Sequence, residues 1–317
     1  MTPRRVTIIG ASGFIGRYAV RQLAGQGAVI CACSRHAREA GYLRPMGDVG
    51  QVAAFDLDIN DERGLAAVVA GADAVVNAAG ILYERGRQRF DLLHHQRPGA
   101  LARLAKAAGV RQFVHISALA AEREGPSAYA RSKAAGEEAV RAAFPDAVIL
   151  RPSLVFGPED AFFNRFAAMA RYVPALPLVG GGHTKFQPVY VGDVAAAIAA
   201  ALDRDDTAGR TFELAGQAVF ELRQLFALML HTIRRKRLLI SVPFGLAGVM
   251  AAFLERLPNP LLTRDQVRML RRDSVATPGA PGLGELGITA AALELILPSY
   301  LDRYRRGGRT ISTVSPA

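Results

Sequence analysis

Tyr129 and Lys133 stand four residues apart in SAYARSKAAGE, residues 127–137, a stretch rich in helix formers. Residues i and i+4 share one helix face, so the phenol and the ammonium lie side by side. Two chemistries fit that pairing. An ammonium beside a phenol lowers the phenol's pKa and lets it pass a proton near neutral pH. The same pair can equally be a handhold for a bound cofactor. In HISALAA, residues 115–121, Ser117 is the one hydroxyl, and Ala118 follows it.

A second set of residues points to phosphate. GASGFIG, residues 10–16, follows the apolar run RVTII and opens a helical pattern that continues through Gln26. In that setting Gly10 allows a tight turn. Gly13 lets the backbone approach a pyrophosphate, and Gly16 lets helix and strand pack closely. The helix start offers N–H groups and a partial positive charge to the phosphates.

The elements that position these residues alternate along the chain. Apolar runs AVICACS, QVAAFDLDI, ADAVVNAAG, RQFVHISAL and DAVILRPSLVFG follow the first strand, with helical patterns between most of them. This rhythm predicts βαβ units, and near-continuous Val/Ile/Ala runs predict a parallel sheet covered on both faces. The expected fold is a doubly wound α/β Rossmann domain over 1–151, with 188–215 returning to it. A smaller α+β lobe is expected over 152–187 and 216–300, and a flexible tail over 301–317. VFELRQLFALMLHTIRRKR, residues 219–237, reads as one amphipathic helix ending in a basic cluster.

The second strand ends CSRHAR, residues 33–38, without the acid that usually bonds the ribose 2′-OH of NAD. Ser34, Arg35 and Arg38 are instead available to a 2′-phosphate, which favours NADP(H) over NAD(H).

Composition narrows the partners. Half of the 317 residues are apolar, enough for a sizeable core, and the net charge is +11. A basic balance attracts nucleotides, anionic lipid or acidic partners without choosing among them. Trp is absent and no basic motif is interleaved with aromatics, which argues against nucleic acid. Cys31 and Cys33 alternate on a strand and read as two packed thiols rather than a disulfide or a metal site. His94 and His95 have no partners at metal spacing and read as surface or half-buried residues, so no metal is expected. Asp193 reads as a helix cap. Gly180–Gly182 reads as a phosphate nest or, preferably, a turn. The first strand is expected to begin near Arg4, which leaves no space for a leader segment. LLISVPFGLAGVMAAFL, residues 238–254, falls short of a spanning helix and reads as a strand end, a turn and a buried or interfacial helix.

Taken together, the glycine spacing, DLDI, NAAG, the Tyr129–Lys133 pair and RPSLVFGP resemble the short-chain dehydrogenase/reductase superfamily over about the first 160 residues. The resemblance implies a cofactor held by Gly10, Ser12, Gly13, Phe14, Ile15 and Gly16, and by Ser34 and Arg35. It implies an adenine clamp at Asp56 and Leu57, and backbone contact at Ala78, Ala79 and Gly80. Pro152 and Leu154 would lie beside the nicotinamide, with Tyr129 and Lys133 on its ribose. Ser117, Tyr129 and Lys133 would form a catalytic trio in an active member. In relatives with a double serine the second is generally the catalytic one. In that register Ala118 takes its place, which tilts the pair toward holding the cofactor.

Three longer strings, RPSLVFGPEDAFFNRFAAMAR, PLVGGGHTKFQPVYVGDVAAAI and LPNPLLTRDQVRML, resemble one atypical branch of that superfamily. It supplies the NADPH-binding accessory subunit of respiratory complex I and its alphaproteobacterial relatives. The resemblance, which reaches to about Asp273, implies a permanently bound nucleotide with a structural or regulatory part. It also implies docking on the peripheral arm, on the cytoplasmic side of a bacterial inner membrane or the matrix side of a mitochondrial one. IRRKR beside the apolar 238–254 segment suits an anionic membrane surface or a partner subunit. The alternative is a free NADP-dependent reductase, epimerase or dehydratase acting on a small or quinone-related substrate.

Overall fold

A computed structural model describes residues 3–307. The chain forms two compact units. Of the described residues, the first comprises 3–153, 191–215 and 276–289, and the second comprises 154–190, 216–275 and 290–307.

The first unit is built on a seven-stranded sheet. Its strands are β1 (Arg5–Ile9), β2 (Val29–Ser34), β3 (Val52–Asp56), β4 (Ala74–Asn77), β5 (Gln112–Ile116) and β6 (Val148–Pro152), followed by the strand Thr211–Leu214. Reading from that last strand, the order is β6, β5, β4, β1, β2, β3, with every pair parallel. The order reverses between β1 and β4, so a crevice opens there at the carboxyl ends of the strands. Helices α1 (Phe14–Gly25), α2 (Glu62–Val69), α3 (Arg97–Ala107) and α4 (Ala128–Ala143) supply the crossovers. Ile9, Leu65, Val75, Leu101, Phe113, Phe144 and Ile149 fill one core layer. The doubly wound parallel sheet expected from the alternating pattern is therefore present.

Several local readings change. DLLHHQ opens as a π-helical turn, Asp91–Gln96, before α3 begins at Arg97–Pro98. A π turn inside a helix commonly marks a functional site. Asp193 lies within the helix Val191–Asp203 rather than ahead of it. It complements the partial positive charge of the first turn instead of capping it. Residues 276–289, expected in the smaller lobe, group with the first unit. Glu213 N–H donates to Pro281 O at 2.8 Å, so this segment runs beside the sheet's edge strand.

In the second unit, Phe156, Phe163, Leu178, Phe226, Met229 and Leu297 share a core. The helix Leu222–Thr232 stops short of the basic cluster. Arg234 takes a left-handed φ of 51°, and the chain turns into the strand Leu238–Val242. A helix over Phe244–Leu254 follows, leaving Leu246, Val249, Met250 and Phe253 exposed. The segment is thus strand, turn and a helix with exposed apolar side chains. Among the described residues no helix is long and apolar enough to cross a membrane. Gly180–Gly182 form a turn with positive φ throughout. Residues 301–307, expected to begin a flexible tail, are held instead. Leu301 is fully buried, and Arg305 Nε donates to Thr232 O at 3.0 Å. Residues 308–317, the rest of that expected tail, lie outside the described residues.

Candidate functional site

Gly10 ends β1 with φ 81°, a left-handed turn that suits glycine. A Cβ there would sit 2.9 Å from Ala79 N, so the loop lies directly on the 78–79 backbone. A Cβ at Gly16 would meet Gly10 O at 2.1 Å, so α1 packs tightly on the turn. Gly13 differs. It is exposed and precedes the first residue of α1, and a Cβ there would touch only Gly10 O, at 3.1 Å. The fold itself therefore makes little demand for a glycine there. Helix α1 has no side-chain cap and no acid in its first turn. Its leading N–H groups, over Phe14 and Ile15, are open to an anion. Ser12 O is gripped from behind by Tyr42 Oη at 2.9 Å and Arg17 Nη2 at 3.0 Å, and Arg17 stacks over the Tyr42 ring. The sequence reading missed both residues, because Tyr42 lies thirty residues from the loop it braces.

At the ends of β2 and β3, Ser34 is buried, and its Oγ has no partner among the described residues. Arg35 and Arg38 are exposed beyond it. Asp56 Oδ1 accepts from Ala37 N–H at 2.6 Å, which holds the arginine-bearing loop. Leu57 N–H donates to Ser34 O at 2.8 Å, but its side chain is buried in the core. Of the two residues expected at the adenine, Asp56 alone faces solvent.

Ser127 caps α4, its Oγ accepting from Ala130 N–H at 3.0 Å. The cap fixes where the first turn begins, and Tyr129 and Lys133 follow on one face. Both are buried, at 8% and 4% exposure. Lys133 Nζ donates to Ile116 O at 3.1 Å and sits 6.0 Å from the centre of the Tyr129 ring. Burial pushes the lysine's pKa down to about 8, against the opposing charge of Glu137. It pushes the tyrosine up to about 12. A proton-transfer phenol needs the opposite shift. The Tyr129 ring is closed in edge-on by Phe90 at 5.8 Å and His94 at 5.3 Å between centroids.

Ser117 lies just past β5, 3% exposed, with an Oγ that has no partner among the described residues. Ala118 is the next residue. On β4, Asn77 is fully buried. Its Nδ2 lies 3.2 Å from His115 Nδ1, and its Oδ1 accepts from Ala79 N–H at 3.2 Å. Ala78 N–H donates to Ile9 O at 2.9 Å. Ala78 and Ala79 therefore lie against the glycine turn, and Gly80 lies beside Lys133 and His94. Pro152 ends β6, where its carbonyl accepts from Leu119 N–H at 3.0 Å. Leu154 belongs to the second unit, where its carbonyl accepts from Val189 N–H at 3.0 Å.

His94 corrects the sequence reading. It is 1% exposed rather than a surface or half-buried residue, while His95 is half exposed and pairs with Asp91 at 2.8 Å. Beneath the pair, Arg151 makes a two-pronged contact with buried Glu137, at 2.8 and 2.7 Å, which ties α4 to β6. Among the described residues no His, Cys, Asp and Glu group is arranged to hold a metal.

The residues of the first unit fit a dinucleotide. The helix mouth is open, Gly13 is bare, and two buried hydroxyls, Ser34 Oγ and Ser117 Oγ, lack partners at the carboxyl ends of β2 and β5. Buried polar atoms are seldom left so, and a bound ligand would satisfy them.

Known proteins agree with this geometry. The NAD dependent epimerase/dehydratase family matches residues 6–215. The chain is 38% identical to the Arabidopsis thaliana mitochondrial "NADH dehydrogenase [ubiquinone] 1 alpha subcomplex subunit 9", covering 98% of this chain and 80% of that protein. It is 36% identical to the Rattus norvegicus protein of the same description, over 94% and 80%. Its fold matches a Streptomyces venezuelae dTDP-glucose 4,6-dehydratase solved with NAD and TYD, at 22% identity, TM-score 0.73 and coverage of 95% and 96%. The chain belongs to the NAD dependent epimerase/dehydratase family, in the branch that holds the alpha subcomplex subunit 9 proteins.

Proposed function

We propose that this chain is an NADP(H)-binding accessory subunit of respiratory complex I, and that it holds its nucleotide rather than turning it over. The observation that carries the reading is the enclosure of Tyr129. Its ring is packed against Phe90 and His94, and burial raises its pKa to about 12. A phenol so placed is a poor proton donor or acceptor at neutral pH. The similarity to the subunit 9 proteins along nearly the whole chain supports the same reading.

The site divides its work. Gly10, Ser12, Gly13 and Gly16 cradle the pyrophosphate on α1, with Phe14 and Ile15 giving backbone N–H groups. Ser34 and Arg35, with Arg38, take the 2′-phosphate, and the Asp56 carboxylate holds their loop through Ala37. Lys133 and Tyr129 hold the nicotinamide ribose beside Ala79 and Gly80. NADP(H) would supply a hydride at its nicotinamide; the chain's own residues bind and orient it.

Docking follows from the second unit. The helix Phe244–Leu254 exposes Leu246, Val249 and Phe253, and Arg264, Arg268 and Arg271 line the concavity beside it. Apolar side chains next to arginines suit a peripheral position on an anionic membrane surface or against membrane-embedded subunits. That face is cytoplasmic in a bacterium and matrix-side in a mitochondrion.

The test is purification of the complex from native membranes. The chain is expected to co-migrate with it and to release NADP(H) on denaturation. Lys133→Ala is expected to lower bound nucleotide, and Tyr129→Phe to leave it unchanged. NADPH-dependent reduction of quinone or carbonyl substrates by the isolated chain, lost in Tyr129→Phe with nucleotide still bound, would replace this reading with that of a free reductase.

A further inference from the structure

We propose that His94 is a positioning residue for the bound nucleotide: its Nε2 holds the Ile81 amide, and so fixes Gly80 against the Lys133 ammonium. The assignment rests on the reading that the first unit holds a nucleotide.

Hydrogen-bond directions determine the tautomer. Ile81 N–H donates to His94 Nε2 at 3.0 Å, so that nitrogen carries a lone pair. The proton must then sit on Nδ1, which faces Ser132 Oγ at 3.0 Å. Ser132 Oγ can accept it because its own proton goes to Tyr129 O at 2.8 Å. Each proton in the chain Ile81, His94, Ser132, Tyr129 has one destination, and every link runs the same way. The imidazole stays neutral, because burial, the charge of Lys133 and then His115 push its pKa down to about 2.

Packing makes the bridge rigid. Phe90 stacks on the imidazole at 5.3 Å, and the Tyr129 ring meets it edge-on. The His94 carbonyl lies so close to Gly136 that a Cβ there would approach within 1.8 Å. The π turn carrying His94 therefore cannot slide along α4. The consequence appears at Gly80, where a Cβ would sit 3.5 Å from Lys133 Nζ and 3.6 Å from His94 Nε2. The backbone that follows β4, expected to run along the cofactor, is set against the ribose-holding lysine by this one imidazole.

Three variants separate the role from mere packing. His94→Gln places a carbonyl near the Nε2 position and can still accept from Ile81. His94→Asn ends near Nδ1, so it can meet Ser132 but cannot reach Ile81. His94→Leu makes neither bond. NADPH dissociation constants would be measured by titration of each purified chain after removal of bound nucleotide, with melting temperatures as a control on folding. Asn and Leu are expected to weaken binding by roughly tenfold, because the Ile81 amide loses its partner, while Gln stays within about threefold of wild type. Imidazole 15N and 13C chemical shifts of the nucleotide-free wild type are expected to report the Nδ1–H tautomer, unchanged between pH 5 and 8. An Nε2–H tautomer, a titrating imidazole, or equal affinities for the Gln and Asn variants would overturn the assignment. Wild type that binds no NADPH would remove the nucleotide reading and this role with it. A binding wild type whose variants are all unaffected would remove this role alone.

Discussion

Gly13→Ala separates the ligand's demand for glycine from the fold's. At Gly13 φ is −68° and ψ is 173°, a conformation that alanine adopts freely. The added Cβ would meet only Gly10 O, at 3.1 Å, so the backbone must give by a few tenths of an ångström. That strain is offset by the smaller entropy of the unfolded chain, a gain of about 0.4–1 kcal/mol for Gly→Ala at a compatible position. The nucleotide-free variant should therefore melt within a few degrees of wild type. Binding is another matter. The methyl projects at the open mouth of α1, where the pyrophosphate must approach the N–H groups. A ligand at one hundred times its Kd stabilises a protein by about 2.7 kcal/mol. At about 2–4 °C per kcal/mol for domains of this size, NADPH should raise the wild-type Tm by roughly 5–10 °C. The variant should lose that rise. The assay is thermal unfolding of both proteins with and without NADPH, with released nucleotide measured in parallel. A variant that keeps the full NADPH-induced shift would refute the placement of the phosphates. A variant already unfolded without nucleotide would refute the argument that the fold tolerates the methyl. Gly16→Ala is the contrast, because its Cβ would fall 2.1 Å from Gly10 O and the loop itself must rearrange.

Arg35→Glu should weaken NADPH by about tenfold or more while sparing NADH, since it sets a carboxylate against the 2′-phosphate; equal binding of both nucleotides by the wild type in calorimetry would exclude NADP selectivity. Arg151→Leu should destabilise the first unit by about 1–3 kcal/mol in urea unfolding, because it removes both close bonds to buried Glu137 and leaves the carboxylate only the longer contact with Arg141, at 3.5 Å. Replacing Glu137 with Gln in the same chain should recover part of the loss, and no recovery would mean that the packing of Arg151, not its charge, matters. Acid should destabilise the protein earlier than its carboxylates alone would. His94 and His115 stay neutral in the fold down to about 2 and about 3, whereas the unfolded chain takes up protons near 6.5. The unfolded state thus binds more protons as pH falls below 6.5, and stability falls with it, by about 2 kcal/mol per histidine at pH 5. Unfolding midpoints at pH 7.5 and 5 for wild type and His94→Gln should show a smaller drop in the variant.

Much of the architecture was legible because both signals involved are local. Apolar runs alternating with helical patterns gave the parallel sheet, and the glycine spacing placed a tight turn between β1 and α1. The Tyr129–Lys133 face was legible because i and i+4 neighbours share a helix face. What the sequence could not give depends on distant pairings. Tyr42 braces Ser12, and Asp56 holds Ala37. His94 was read as surface or half-buried because its ring partners, Phe90 apart, come from Ile81 and α4. The basic run 234–237 was read as the end of a helix because arginine and lysine favour helix. The left-handed Arg234 and pairing of the next strand with Ala175–Val179 override that preference.

The enclosure of Tyr129 also explains how a pair with the residue types of a catalytic centre can serve a different end. Proton transfer demands a phenol whose anion is stabilised and whose oxygen reaches a substrate. Holding a nucleotide demands only that the ring and the ammonium stay fixed. The surroundings of α4 meet the second demand. Ser127 fixes the helix start, Gly136 seats the helix on the His94 carbonyl, and Ile116 O anchors Lys133 Nζ. Burial then pulls the two pKa values toward neutral forms, down to about 8 for the lysine and up to about 12 for the tyrosine. A low-dielectric, closed site disfavours charge on either group, and so disfavours the phenolate that catalysis would require. A ribose hydroxyl brought to Lys133 would add a further acceptor for its ammonium and so favour the charged form. Rigidity and desolvation, which impair the pair as an acid–base device, are the properties that slow the escape of a ligand once it is bound.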